Sequence, residues 1–156
     1  MSITHSDLVA KLVIEGALAM VAGKVQGKAP VEGLPLKKGE REKLGLKGMG
    51  LTVFYPLGEG GVFFDMQGST ATVWYDGGDC ERALGVFEVA LKRAHATARQ
   101  LEDTTNPNDP AMRSRAYQVE LANGKLGIID VAYPTGAGAK GRQFAVRVFA
   151  QQRRAN

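Results

Sequence analysis

The side chains able to do chemistry are few and scattered. One cysteine, Cys80, and two histidines, His5 and His95, are spread over 156 residues. Cys80 follows Gly77-Gly78-Asp79 and stands at the predicted start of a helix. Unpaired amides at a helix N-terminus favour a thiolate, the usual way to make a cysteine nucleophilic. Asp79 beside it opposes that effect. A base is also needed, and His95 lies on the same predicted helix, about 22 Å along its axis. A Cys80–His95 pair within one chain is therefore excluded.

Asp130 is the sharper candidate. Asn123-Gly124 is a strong two-residue hairpin signal between alternating apolar runs. Such a turn pairs Ala122 with Lys125. It then sets Leu121 against Leu126, Val119 against Ile128 and Tyr117 against Asp130. Partners in register share one sheet face. That face is otherwise apolar, so Asp130 is expected to be partly buried beside the Tyr117 hydroxyl. Burial raises a carboxylate pKa, and hydrogen bonds to its charged form lower it. Tyr117, Asp130 and Cys80 are the candidate pocket residues, and Asp65 repeats the pattern more weakly.

The cations form two clusters within a net charge of +4. Leu36–Lys47 holds Lys37, Lys38, Arg41, Lys43 and Lys47 against Glu40 and Glu42. Lys140–Asn156 holds Lys140, Arg142, Arg147, Arg153 and Arg154 and no acid. Clusters of one sign attract phosphates or acidic protein surfaces. Lys37, Lys38, Arg41, Lys43, Lys140 and Arg142 are therefore the candidate anion- or partner-binding residues. Aromatic residues do not interleave with these cations, as a stacking platform for single strands requires. Gly136-Ala137-Gly138-Ala139-Lys140-Gly141 fits G-x-G-x-x-G, but a dinucleotide fingerprint needs a helix next. Residues 143–151 alternate like a strand instead. No Ser or Thr follows Lys140, so it is not a Walker A loop either. One cysteine and two distant histidines offer no metal-ligand spacing. No metal or cofactor is expected.

The elements that must position these residues read as α+β, with two helices packed on an antiparallel sheet in the order α-βββ-α-βββ. A single domain over 1–156 is expected, since a chain of this length can bury a sizeable core. Helix one is capped by Ser6 or Asp7 and ends at Gly23. Val9, Leu12, Val13, Gly16, Ala17 and Met20 form its broad apolar face. The other side is also poor in charge, so the helix is either deeply buried or packed on a partner chain. Leu8–Ala22 is shorter than the ~20 residues that span a bilayer. Residues 23–50 form a Gly/Lys-rich connection expected to be mobile, in which Lys38–Leu44 can make a helical turn or two.

Leu51–Tyr55, Val62–Met66 and Thr70–Tyr75 are strand-like. Helix two carries the stripe Leu84, Phe87, Leu91, Ala94, Ala98 and Leu101. Thr104–Pro110 reads as a loop. Ala116–Leu121, Lys125–Tyr133 and Gln143–Gln151 are the last strands. The halves read alike, and Phe63-Phe64-Asp65-Met66 echoes Ile128-Ile129-Asp130-Val131.

No catalytic constellation accompanies the apolar first helix. The expected class is a non-enzymatic binding or assembly protein, homo-oligomeric through that helix. Acidic protein is a further expected partner, and no membrane is. The alternative is a nucleic-acid or phosphate-ligand binder using the basic loop and tail. The third is a small enzyme with Asp130, Tyr117 and Cys80 in a pocket. A lone cysteine fits the reducing cytoplasm.

Overall fold

The computed structural model describes residues 4–23, 34–43, 51–57, 60–67, 69–76, 80–134 and 144–151. The N-cap of the first helix is Thr4 rather than Ser6 or Asp7. Its Oγ1 accepts the Asp7 amide at 3.1 Å and donates to the Asp7 carboxylate at 2.7 Å. The hydroxyl thus caps one free amide of the first turn and gives its own proton to the same residue. Helix α1 (His5–Lys11) runs into a π-helical segment (Leu12–Ala17) and then α2 (Leu18–Val21). Leu12, Val13, Gly16 and Ala17 of the π segment are all buried. Gly23, at φ +77°, terminates the helix.

The strands are β1 (Leu34–Pro35), β2 (Leu51–Leu57), β3 (Gly60–Gln67), β4 (Thr70–Asp76), β5 (Arg99–Asn106), β6 (Asp109–Glu120), β7 (Leu126–Pro134) and β8 (Phe144–Ala150). They form one eight-stranded antiparallel sheet in the order β1-β2-β3-β4-β8-β7-β6-β5. The short α3 (Lys38–Lys43) precedes β2, and α4 (Cys80–Ala94) precedes β5. The first helix packs along α4 on one face of the sheet. Val53, Phe64, Val73, Val146 and Val131 stand in one row across that face. They bury against Val9, Leu12, Val13, Phe87 and Leu91. Full burial of such side chains stabilises by about 1.5–3 kcal/mol each.

The second half has four strands, not three. Helix α4 stops at Ala94, and the rest of its predicted stripe is a turn and a strand. Ala98 is half-buried, while Leu101 is 43% exposed at an irregularity in β5. Those two residues bury too little to extend a helix. The long β6 gains a hydrogen-bonded neighbour from β5 instead. The predicted loop over Thr104–Pro110 shrinks to the tight turn of the β5–β6 hairpin. Tertiary pairing here outweighs local helical spacing.

The β6–β7 register is also shifted by one residue from expectation. A two-residue type I′ turn needs positive φ at both central residues. Gly124 has φ +81°, but no non-glycine among the described residues has positive φ, so Asn123 does not. Instead the Asn123 side chain accepts the Lys125 amide at 3.1 Å, and the Leu121 amide donates to the Lys125 carbonyl at 2.7 Å. The loop is longer than two residues. Glu120 then opposes Leu126, Tyr117 opposes Ile129, and Ala116 opposes Asp130. One residue of slip moves Asp130 to the other face from Tyr117.

The sheet order is symmetric about the β4–β8 junction, so each half is a helix followed by four strands. The first half keeps β1 as a two-residue remnant and inserts α3 after it. The register shares the symmetry. Thr52, Asp65, Thr72, Arg147, Asp130 and Ala116 stand in one row, with Thr72 paired to Arg147 at its centre. Asp65 and Asp130, the residues of the sequence echo, occupy corresponding places on the face away from α1 and α4. Within the predicted mobile connection, residues 34–43 are docked on the sheet, while 24–33 and 44–50 lie outside the described residues.

Candidate functional site

The predicted Tyr117–Asp130–Cys80 pocket does not form as one site. Tyr117 is buried on the helix-facing side, edge-on to Phe87 at 6.0 Å between ring centres. Burial is the main reason its hydroxyl pKa is pushed up to about 12. Asp130 points from the opposite face. It accepts the Ser114 hydroxyl at 2.6 Å and the Arg147 guanidinium at 3.3 Å. Cys80 opens α4, and its side chain lies outside the described residues. Among the described residues no group of three His, Cys, Asp or Glu could hold a metal.

The cation candidates also separate. Arg41 is buried where α3 crosses β2 and β3. Its Nε donates to Thr52 Oγ1 at 2.8 Å, and Thr52 Oγ1 donates to Asp65 Oδ1 at 2.6 Å. The guanidinium lies 3.7 Å from that same carboxylate oxygen. Arg41 therefore holds α3 to the sheet rather than presenting charge to a partner. The Lys37 amide donates to the Glu40 carboxylate at 3.3 Å. Lys43 is exposed in the last turn of α3. The Lys38 side chain, Lys140 and Arg142 lie outside the described residues, as does the loop over 136–141.

A charged network that sequence reading missed joins α4 to the far strands. Asp103 accepts Arg113 Nε at 2.8 Å, Arg115 Nε at 2.7 Å and the Tyr133 hydroxyl at 2.6 Å. Arg115 also pairs with Glu88 of α4. Burial alone would raise the Asp103 pKa, but bonds from Tyr133, Arg115 and Arg113 together hold it below its ordinary value. Two cations here meet two carboxylates, so the network is a neutral clamp. The Arg113-x-Arg115 alternation was its only sequence signal, because Asp103 fell between a predicted helix and a predicted loop.

On the other face, the Phe63 ring lies between Phe54 at 4.7 Å and Trp74 at 5.1 Å. Aromatic faces used up on one another leave little for a stacked base. The sheet edges are guarded as well. β1 is two residues long and contains Pro35, and β5 is charged and irregular. Short, charged or bulged edges resist strand addition.

The helical layer presents an open surface. The broad apolar face of the first helix, which includes Gly16 and Ala17, is buried inside the fold. Its neighbouring side instead borders a furrow of about 700 Å³ against α4. Ala10 and Ile14 line it from the first helix, and Gly85, Val86, Val89 and Ala90 from α4. Val89 is 54% exposed and stands in the furrow beside Ile14, Val86 and Ala90, so the exposed apolar surface is contiguous rather than scattered. A Cβ added at Gly85 would meet nothing within 4 Å. The rim on the side of the first helix, called here the α1 rim, carries Asp7 and Lys11 of α1 and Glu15 of the π segment, and the α4 rim carries Arg93. Ile14 and Glu15 lie on the π-helical segment, a rare conformation that recurs at functional sites. The chain matches no protein-family model, no curated protein and no solved structure.

Proposed function

We propose that this chain is a non-enzymatic assembly protein that pairs with a second copy of itself through the helical furrow. The exposed apolar lining of that furrow, centred on Val89 and Ile14, carries the reading. The rims argue for a like partner. The α1 rim has two carboxylates and one cation, and the α4 rim has a cation. Turning one copy about the furrow axis sets the α1 rim of each over the α4 rim of the other. Asp7 or Glu15 then meets Arg93, and the small Gly85 lets the helices approach closely. Such an isologous contact closes as a dimer. No helix among the described residues is long and apolar enough to cross a membrane. A cytoplasmic setting suits the lone cysteine.

Native mass spectrometry tests the proposal. The wild type should appear at twice 16.7 kDa, and Val89→Glu should shift it to the single mass without loss of fold. A wild type that stays monomeric at micromolar concentration would remove the reading. So would a Val89→Glu variant with unchanged mass.

A further inference from the structure

The face of the sheet away from α1 and α4 carries a separate hollow of about 440 Å³. That volume lies within the range of small-ligand pockets. Ile128 and Phe149 give it an apolar lining, and Thr70, Ser69 and Gln151 add neutral polar groups. Among the described residues its one charged lining residue is Arg147.

Arg147 is held in place without being used up. Its guanidinium carbon lies 5.4 Å from the centre of the Phe149 ring. One N–H donates to Asp130 Oδ2 at 3.3 Å, and Asp130 is itself fixed by the Ser114 hydroxyl at 2.6 Å. A guanidinium has five N–H donors, and the Arg147 side chain is 56% exposed. More than half of the side chain is therefore open to solvent beside an apolar lining. A planar fork of this kind matches a carboxylate with two parallel bonds. Asp130 decides the charge of the ligand. With that carboxylate so close, the site tolerates one added negative charge far better than two.

We propose that this hollow binds a small monoanion, a flat apolar ring bearing one carboxylate. The carboxylate takes the free side of Arg147, and the ring lies on Ile128 and Phe149. Ser114 and Asp130 act as positioning residues, since they touch Arg147 rather than the ligand. The site lies on the opposite face from the furrow and does not depend on the assembly reading.

The test is a titration of the full chain with benzoate and with naphthoate, followed by NMR at the Arg147 Nε–Hε and Phe149 ring signals. Benzamide serves as the neutral isostere and inorganic phosphate, at a pH held well above its second pKa, as the dianion. Saturable shifts are expected with the two carboxylates, with benzamide and phosphate at least tenfold weaker. Arg147→Gln should lose at least tenfold in carboxylate affinity while its remaining spectrum is unchanged. Arg147→Lys, which keeps charge but not the fork, should also bind more weakly than wild type. The proposal is overturned if neither carboxylate gives a saturable shift, or if benzamide or phosphate binds as well. Equal binding by Arg147→Gln overturns it too.

Discussion

Asp65→Ala removes the carboxylate beneath α3 and leaves the Arg41 cation in place without it. The two side chains are 7% and 8% exposed, so water screens the loss poorly. The Thr52 hydroxyl also loses its acceptor in a fully buried position. Breaking a buried pair from one side costs about 3–5 kcal/mol. Total stabilities run to only ~5–15 kcal/mol, so about a fifth or more of the stability is at stake. Urea unfolding followed by Trp74 fluorescence gives the difference directly. The companion variant replaces both charges with apolar groups, Arg41→Met with Asp65→Leu. It removes the charge and its desolvation together and should recover most of the loss. If Asp65→Ala costs under about 1 kcal/mol, like an exposed pair, the burial argument fails. The same holds if the double variant is as damaged as the two single losses added. Arg41 would then return as a candidate for anion binding.

Alkaline pH should destabilise the fold through Tyr55 and Tyr117, whose hydroxyls burial pushes up to about 12. The folded state favours the protonated forms, so this stabilisation is complete below pH 10 and is lost as pH rises towards 12. Each tyrosine contributes at most about 3 kcal/mol at ~1.4 kcal/mol per pKa unit; replacing both with Phe should flatten the pH 10–12 fall, checked by urea unfolding across that range. Gly61→Ala would place a Cβ 2.2 Å from the Phe54 ring and 2.6 Å from the Tyr55 carbonyl oxygen, and thermal or urea unfolding should show a loss of about 1–3 kcal/mol. Gly85→Ala meets no atom within 4 Å in the single chain; in the monomeric Val89→Glu background it should raise stability by up to about 1 kcal/mol through helix propensity. Gly124→Ala forces a side chain into φ +81° and should cost about 1–2 kcal/mol in the same assay.

Apolar periodicity made the mixed helix–strand class legible, along with the first-helix end at Gly23 and most of the strands. It misled where two weak signals competed. Ala98 and Leu101 continue the stripe of α4, but the β6 edge offered their backbone a stronger set of hydrogen bonds. The Asn-Gly dipeptide marked the right hairpin and the wrong register, because only Gly124 took the left-handed conformation. That single residue of slip separated Tyr117 from Asp130 and dissolved the expected pocket. Arg41 looked like any loop cation, since a counter-ion on β3 is invisible to local charge counting. The furrow was half legible. Leu12 and Val13 announced an apolar helix, but which side stays open depends on how α4 packs beside it.

The symmetric row across the sheet explains why one aspartate is sealed and the other open. Asp65 and Asp130 each accept a hydroxyl from the neighbouring strand at 2.6 Å, from Thr52 and Ser114 respectively. Each also faces an arginine, Arg41 or Arg147. The difference is the source of the cation. Arg41 arrives on α3, and the helix that brings it also covers the pair, leaving both side chains under a tenth exposed. Arg147 arises from the sheet itself, at the centre of the row, and keeps 56% of its side chain exposed. The first half thus completes its carboxylate with chain from the connection before β2. The second half leaves the corresponding arginine with donors to spare, which is why a carboxylate ligand is assigned to the hollow at Arg147 and not to the equivalent place beside Asp65.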